Sequence, residues 1–490
     1  MAAGSATDLT NCQIYNEAIS ITTGSNVVNP SVAASATTFT FDGSGLIVSK
    51  GTSQTVNLKC DVISGSTGTY YWGLDGAQIT FTGASGVTSG QTVAETMTDA
   101  IGQAMTAAAA GTMTVSLDSG SPSYAIASAG ALGVELARIK FRASNEDINL
   151  QQVVWQLTDT GSNTPVDLVG NKITLWDTDG NNLGEANFGT GDNATSSITG
   201  FKIPRNNAAG KIIIVKGDIA GISAESGPLT ASGDLLKVDW DSNNQGLNGT
   251  YGTGASSGNT IGDASGEISG SDTASNGVRI MRSYPVFEKL AVPSTALVNG
   301  VMDVYRFSLK AEPSNSNGLG LTKITLNVST STGSSVSGTT TLTSVEVFAY
   351  TKSDFTGPVS GYTNGQVVAT VSGLTSSGDN NLSLSSILQI PSGKTYYFKV
   401  TGTATLTSGT GTFSGSITSR ISGDSVYPAS ALTSGYMMAT STAVDDHTDD
   451  NFIWSPNSTT TATANDVDWT NGFNIPGLPS GGSDSVTISK

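Results

Sequence analysis

The sequence predicts an all-β protein built from tandem β-sandwich domains. Val, Ile, Thr, Tyr and Phe recur in short runs separated by Gly, Asn, Asp and Ser, a spacing typical of short strands joined by tight turns. The 490 residues suffice for several domains that each bury a core. Parts of the chain also repeat one another, which indicates a modular protein.

The clearest repeat is a pair of strands joined by a short polar loop. One copy of this pair spans 134–157 and the other spans 302–328, and a third strand follows each pair at 172–177 and 344–350. Both copies alternate apolar and polar residues, as half-buried strands do. Two homologous sandwich domains are therefore predicted.

An Ile-Pro marker follows later in each copy. It reads Phe-Lys-Ile-Pro before one late strand and Leu-Gln-Ile-Pro before the other, with Pro204 and Pro391 as its prolines. Proline cannot donate a ladder hydrogen bond, so we expect both residues at strand beginnings or edges. Weaker copies of the third strand, 9–16, and of the marker, 46–62, occur near the start of the chain. They predict a third, N-terminal domain that lacks about the first two strands of the repeat.

The alignment of the repeats divides the chain into three domains and an irregular C-terminal tail. The predicted bounds are 1–129 for the incomplete first sandwich, 130–284 and 285–427 for the complete repeats, and 428–490 for the tail. Junctions between the domains are short, which predicts little freedom between them.

The charge of the chain restricts its partners. The formal net charge is −17, and the 22 basic residues are scattered rather than clustered, which argues against nucleic acid and against an anionic membrane surface. No apolar stretch reaches the roughly 18 residues that a transmembrane helix needs. Abundant Gly, Ser and Thr with only two Cys suit an exported protein, so we expect a secreted, extracellular or cell-surface location.

Several phrases carry a resemblance to a known group of proteins. They are Val278-Arg-Ile-Met-Arg-Ser-Tyr-Pro-Val-Phe, Phe307-Ser-Leu-Lys-Ala, Asn451-Phe-Ile-Trp-Ser-Pro-Asn-Ser-Thr-Thr-Thr, Asp468-Trp-Thr-Asn-Gly-Phe and Pro476-Gly-Leu-Pro-Ser. The chain resembles predicted surface proteins of candidate-phyla-radiation bacteria, chiefly Parcubacteria. The resemblance implies a bacterial surface location and tandem immunoglobulin-like domains, without naming an activity. In similar proteins the N-terminal repeat is complete, and this sequence departs from them there.

Cys12 and Cys60 are predicted to form a disulfide. Cys12 shares strand parity with Ile14, and Cys60 shares it with Leu58 and Val62, so both thiols are expected on the inner face of the first domain. Two separate buried thiols are the alternative. A disulfide would indicate an oxidising compartment.

Catalytic and metal signals in the sequence are weak. The single histidine, His447, lies among aspartates and lacks the Gly-x-Ser-x-Gly context of a serine hydrolase, so we predict no enzymatic activity. Asp177, Asp179 and Asn181 resemble the start of a calcium loop, although the Asp-Gly pair there is also typical of a hairpin turn. We favour the turn and keep calcium as a possible ion.

The tail is predicted to be the means of self-association. Its apolar residues Phe452, Ile453, Trp454, Val486 and Ile488 belong to no repeat, and the first domain lacks strands. A tail strand from one chain could complete the first domain of the next by β-augmentation, and such head-to-tail contact propagates. The predicted function is an extracellular structural protein that forms a homopolymeric filament or surface layer.

Two other functions are compatible with the sequence. A cell-surface adhesin or carbohydrate-binding module would use an exposed aromatic platform, for which Trp454 and Trp469 are the better candidates because no strand pattern accounts for them. A glycan-active enzyme would need a cleft with two suitably spaced carboxylates.

Overall fold

A computed structural model describes residues 5–30, 36–63, 66, 68–74, 84–107, 111–157, 164–222, 233–242, 249–262, 266–333, 338–407, 414–428, 450–458 and 469–490. Over these residues the protein is all-β, as the sequence predicts. The helical turns described are short 3-10 turns, namely Ala6–Asp8, Gly24–Asn26, Pro165–Asp167 and Thr363–Gly365.

The first unit is a small, open assembly of strands. Its strands are β1 (Leu9–Asn16), β2 (Ile19–Ser20), β3 (Val56–Val62), β4 (Thr69–Tyr70), β5 (Gly73–Leu74), β6 (Ala100–Ile101) and β7 (Met105–Thr106). They form a three-stranded sheet in the order β2-β1-β3 and two ribbons, β4-β7 and β5-β6.

The second unit is a complete β-sandwich. Its strands are β8 (Thr112–Leu117), β9 (Ala125–Ser128), β10 (Val134–Ser144), β11 (Ile148–Leu157), β12 (Leu168–Trp176), β13 (Asn182–Asn187), β14 (Asn193–Ile203), β15 (Lys211–Ile219), β16 (Leu235–Leu236), β17 (Val238–Trp240), β18 (Tyr251–Gly254), β19 (Thr260–Gly262), β20 (Ile268–Ser269) and β21 (Val278–Met281). One sheet has the order β13-β12-β15-β10-β8-β20, and the other has the order β14-β11-β18-β19 with β17 also on β11. A third, small sheet has the order β16-β21-β9.

The third unit is a second complete sandwich. Its strands are β22 (Tyr284–Leu290), β23 (Gly300–Glu312), β24 (Leu319–Thr332), β25 (Thr339–Tyr350), β26 (Gln366–Val371), β27 (Ser377–Ile390), β28 (Thr395–Thr407), β29 (Gly415–Ile421), β30 (Ile453–Ser455) and β31 (Val486–Ser489). One sheet has the order β22-β23-β28-β25-β26, and the other has the order β27-β24-β29-β31 with β30 also on β24.

In the two sandwiches the predicted strand pairs occupy equivalent places. The first strand of the pair, β10 or β23, lies beside the late marker strand, β15 or β28. The second strand, β11 or β24, crosses to the other sheet and pairs with β14 or β27. Both second strands also carry a register irregularity, after Leu150 and after Leu321, so the equivalence extends to local detail.

The boundary between the first and second units lies earlier than the predicted residue 129. Strand β8 pairs antiparallel with β10, from Leu117 opposite Ile139 to Thr112 opposite Ser144. The side chain of Met113 is fully buried in the core of the second sandwich. Strand β22 takes the same place beside β23 in the third unit. The comparison of repeats missed β8 because its six residues are too few to align.

The tail is part of the third sandwich rather than an irregular extension. Strand β30 pairs with β24, and β31 pairs with β29. In the second sandwich β18 occupies the corresponding place on β11. The repeat therefore contains late strands that the sequence comparison assigned to a separate tail, because only the marker strands were similar enough to recognise.

The Ile-Pro marker closes a strand rather than opening one. Strand β14 ends at Ile203 and β27 ends at Ile390, so Pro204 and Pro391 lie immediately after a strand. Each proline thus stands outside the ladder, where its missing N–H costs no hydrogen bond. The turn that follows leads into the marker strand β15 or β28.

A buried carboxyl makes the stability of the second sandwich depend on pH. Asp167 is 0% exposed, and burial raises the pKa of its carboxyl to about 7, although the hydrogen bond from the Thr164 N–H opposes the shift. Because the folded pKa lies above the unfolded value, the proton stabilises the fold at low pH and this stabilisation is lost as pH rises through about 7.

We expect the contribution of Asp167 to the free energy of unfolding of the second sandwich to fall by up to about 4 kcal/mol as pH rises from about 4 to about 7.5. The Asp167→Asn variant, which cannot ionise, should show a flatter dependence. Denaturant unfolding followed by fluorescence of the buried Trp155 and Trp240 measures both. Equal slopes for the two proteins would contradict the assignment.

Candidate functional site: the open edge of the first unit

The first unit reproduces the start of the third-strand motif of the second sandwich. In both places a 3-10 turn ends in an Asp-Leu step, Asp8-Leu9 before β1 and Asp167-Leu168 before β12. Strand β1 then pairs antiparallel with β3, as β12 pairs with β15. The first unit is therefore built on the same framework as the two sandwiches.

The difference lies on the far side of β3. In the second sandwich β15 has β12 on one side and β10 on the other, and in the third sandwich β28 lies between β25 and β23. Among the residues that the structure describes, β3 has a strand neighbour on one side only, namely β1. A row of backbone N–H and C=O groups on β3 is thus open to a further strand.

Strand β3 is also exposed across its faces. None of its seven residues is fully buried, and Val56 and Val62 are 39% and 49% exposed. Its equivalent β15 instead alternates partly and fully buried residues, because it lies inside a sandwich. The sequence of β3 is compatible with a buried strand, but its surroundings leave it accessible.

Exposed apolar side chains are concentrated in the first unit. Of the 17 large apolar residues that are exposed in the described parts of the chain, 11 belong to this unit. They are Ile19, Ile47, Val48, Val56, Val62, Ile63, Leu74, Val87, Val93, Ile101 and Met105. The described parts of the two sandwiches together expose only six such residues.

The core of the first unit is very small. Among the described residues of this unit, four apolar side chains are buried together: Ala6, Leu9, Cys12 and Tyr70. Each sandwich buries more than thirty apolar residues in one cluster. The predicted disulfide between Cys12 and Cys60 is present and joins the neighbouring strands β1 and β3 beside this core, with Cys12 fully buried and Cys60 half-buried. The first unit therefore depends on a covalent link where the sandwiches depend on packing.

Two charged side chains of β3 contact its paired neighbour β1. The Lys59 Nζ lies 4.5 Å from the centroid of the Tyr15 ring, and the Asn11 side-chain amide donates to Asp61 Oδ2 at 2.9 Å. In the second sandwich the equivalent lysine, Lys216, lies opposite Glu135 of the neighbouring strand β10. Lys59 and Asp61 were not among the residues predicted from the sequence. The Lys-x-Asp spacing that β3 shares with β15, where it is Lys216 and Asp218, could have indicated them.

The calcium candidates form a turn. Asp177 Oδ1 accepts the backbone N–H groups of Asp179 and Asn181, and Oδ2 accepts the Asn181 side-chain amide. These hydrogen bonds, chiefly those from Asn181, lower the pKa of the Asp177 carboxyl. Gly180 has φ +86°, as the tight turn between β12 and β13 requires. The described residues contain no group of three or more His, Cys, Asp or Glu side chains that could hold a metal ion.

The residues predicted for a subunit interface lie inside their own sandwich. Phe452, Ile453, Trp454, Val486 and Ile488 are all buried, with exposed fractions of at most 7%. The Trp454 indole donates to the Asn471 carbonyl at 2.7 Å, and Trp469 is also buried. This corrects the expectation that these side chains wait for a second chain or a sugar, because they already fill a groove of the third unit. His447 lies outside the described residues.

Comparison with known proteins yields structural likenesses only. No protein-family profile and no curated protein sequence matches the chain. The C-terminal domain of an antigen I/II polypeptide of Streptococcus agalactiae, BspA, is 11% identical with a TM-score of 0.16, covering 64% of this chain and 97% of its own. The C-terminal domain of the antigen I/II-family protein AspA of Streptococcus pyogenes is 9% identical with a TM-score of 0.17, covering 64% and 95%.

A third likeness is to a chaperone–tip adhesion subunit complex from Acinetobacter baumannii Csu pili. It is 10% identical with a TM-score of 0.17, covering 61% of this chain and 99% of the matched one. Likenesses this weak carry no argument about function. No helix within the described stretches is long and apolar enough to cross a membrane.

Proposed function

We propose that this chain is a non-enzymatic structural protein of the cell surface or extracellular space, in which copies associate through the open edge of β3. The observation that carries the proposal is the unpaired side of β3 among the described residues, at the position where both sandwiches have a strand. The exposed apolar residues of the same unit add surface that a partner would cover.

The partner in this proposal is a second copy, paired antiparallel with β3 across a two-fold axis. Centring the pairing on Cys60 places Lys59 of each copy opposite Asp61 of the other, and Leu58 opposite Val62. The second sandwich has a related arrangement, since Lys216 lies opposite Glu135. An isologous contact of this kind needs no strand released from another domain.

The proposed location rests on the disulfide and on the surface chemistry of the chain. A disulfide between Cys12 and Cys60 forms and persists in oxidising compartments, outside the reducing cytosol. A net charge of −17 keeps copies apart except where complementary edges meet. A filament or surface layer, as the sequence suggests, requires a second contact beyond this two-fold one.

Charge exchange on β3 tests the contact. We expect Lys59→Asp to raise the dissociation constant of the dimer by about tenfold or more, because two attractive cross-strand pairs become repulsive. The double variant Lys59→Asp with Asp61→Lys should restore association, since the complementary pairs return with reversed sign. Sedimentation velocity over a range of concentrations measures all three proteins.

Lys352→Asp is the matched control, because it makes the same charge change in an exposed turn of the third sandwich. It should associate as the unaltered chain does. A chain that remains monomeric at every concentration would rule out the proposed contact. So would a double variant that associates no better than Lys59→Asp alone.

A further inference from the structure

The disulfide of the first unit lies at a break in the ladder between β1 and β3. Two residues of β1, Asn11 and Cys12, lie opposite the single residue Cys60 of β3. This is the arrangement of a β-bulge, in which one strand carries an extra residue that the ladder leaves unpaired. The φ angle of Asn11 is +49°, in the left-handed region that few residues other than glycine adopt. The bulge therefore interrupts the regular pairing of the two strands.

At the bulge the backbone of β1 bonds to a different segment. The Cys12 N–H donates to the Val28 carbonyl at 2.8 Å, and the Val28 N–H donates to the Cys12 carbonyl at 3.0 Å. The Asn11 N–H donates to the side-chain oxygen of Asn29 at 2.8 Å. These N–H groups are thus directed toward residues 28–29 rather than toward β3. At this point the covalent bond from Cys12 to Cys60 joins the two strands.

The ladder that remains on each side of the bulge is short. Two residue pairs lie on the side of Val62, and four lie on the side of Val56. A pair of strands this short is marginally stable in water unless a hydrophobic face packs against it. The described core beside these strands contains four buried side chains. The position of β3 against β1 therefore depends on the disulfide.

We propose that the disulfide between Cys12 and Cys60 is a redox switch for the association of copies through β3. The proposal rests on the function proposed above, in which β3 is the contact. Cys60 is the residue on which the two-fold pairing is centred, so the bond that holds the strand in place lies at the middle of the contact. The oxidised chain presents β3 as an ordered edge. Reduction frees β3 from β1, and a second copy then finds no edge to pair with.

Reduction requires an external dithiol and no other reactant. One thiolate of the dithiol attacks a sulfur of the disulfide, the S–S bond breaks and a mixed disulfide forms. The second thiolate of the dithiol then displaces the protein sulfur. Cys12 and Cys60 gain two electrons and two protons and become thiols, while the dithiol leaves as its own disulfide. Attack is expected at Cys60, because Cys60 is half-buried and Cys12 is fully buried.

Association and oxidation are expected to favour each other. If oxidation strengthens association by some factor, association must oppose reduction by the same factor, because the two equilibria are linked. The contact also supplies a physical cause for this protection. In the two-fold pair the Cys60 residues of the two copies are directly opposite, with Cβ atoms about 4.5 to 5.5 Å apart. Each copy then covers the accessible sulfur of the other.

Sedimentation velocity of the full chain with and without dithiothreitol tests the switch. We expect reduction to raise the dissociation constant of the dimer by about tenfold or more, and reoxidation to restore the original value. The double variant Cys12→Ser with Cys60→Ser should associate as weakly as the reduced chain, whether or not dithiothreitol is present.

The protection of the disulfide is measured separately, by the dithiothreitol concentration that reduces half of it. For the wild-type chain this concentration should rise as the protein concentration rises. Lys59→Asp, which weakens the contact and keeps the disulfide, should remove this dependence. The control Lys352→Asp should retain it.

Three outcomes would overturn the switch. Equal association before and after reduction would do so while leaving the proposed contact intact. An oxidised chain that is monomeric at every concentration would remove the contact and the switch together. A disulfide between the Cys60 residues of two copies in the unreduced chain would also contradict it, because the switch keeps the bond within one copy.

Discussion

Replacing Cys12 and Cys60 together by Ser is expected to unfold the first unit while both sandwiches stay folded. The disulfide joins residues 48 apart, and closing a loop of that length stabilises a fold by about 4 kcal/mol in the chain-entropy account. The four buried apolar side chains of the described core supply at most about 12 kcal/mol together. Ordering the backbone costs about 1 to 2 kcal/mol for each residue, so over tens of residues this cost exceeds what so small a core supplies without the disulfide.

Hydrogen exchange read by mass spectrometry measures this effect region by region. Amides of β1 and β3 should lose protection in the double Ser variant, whereas amides of β10 and β24 in the same sample should keep theirs. Reducing the wild-type chain should give the same pattern. Retained protection in β1 and β3 would show that the first unit is held together by more than its disulfide and its small core.

The Trp454→Ala variant is expected to destabilise the third sandwich by about 3 to 5 kcal/mol. Trp454 is fully buried, its indole donates to the Asn471 carbonyl, and its backbone exchanges two hydrogen bonds with Thr470. Removing the ring leaves a cavity and an unsatisfied carbonyl together. Thermal or denaturant unfolding of the third sandwich measures the loss.

The same variant distinguishes two roles for the C-terminal segment. If the segment served as a donor strand for another copy, Trp454→Ala would weaken association and leave the unfolding of the third sandwich unchanged. The control is Trp176→Ala, which removes a half-buried indole of β12. It should cost less, and the loss should appear in the second sandwich only.

The repeated strand pairs could be predicted because their signal is local. The four strands of the two pairs are long, namely β10, β11, β23 and β24. Polar and apolar residues alternate in both copies of the pair, most clearly in β10. The place of β30 could not be predicted, because its three residues are all buried and show no alternation. Its position depends on a groove formed by strands more than a hundred residues earlier.

The strand framework of the candidate site could be predicted from the sequence, but the residues that belong to the site could not. Alignment of the marker strands indicated that the first unit lacks a neighbour for β3, and the structure describes an open edge there. The donor assigned to that edge was the tail, because apolar residues outside any repeat suggested a free strand.

A strand near the start of the second sandwich lies beside its last strand and runs in the same direction. Strand β9 pairs parallel with β21, from Ala125 opposite Val278 to Ser128 opposite Met281. Pulling the two chain ends apart loads every hydrogen bond of such a pair in shear at once, whereas an antiparallel hairpin pulled at its open end breaks one bond after another. Resistance to force is set by the unfolding rate, so the mechanical strength of the second sandwich depends on the pairing of β9 with β21.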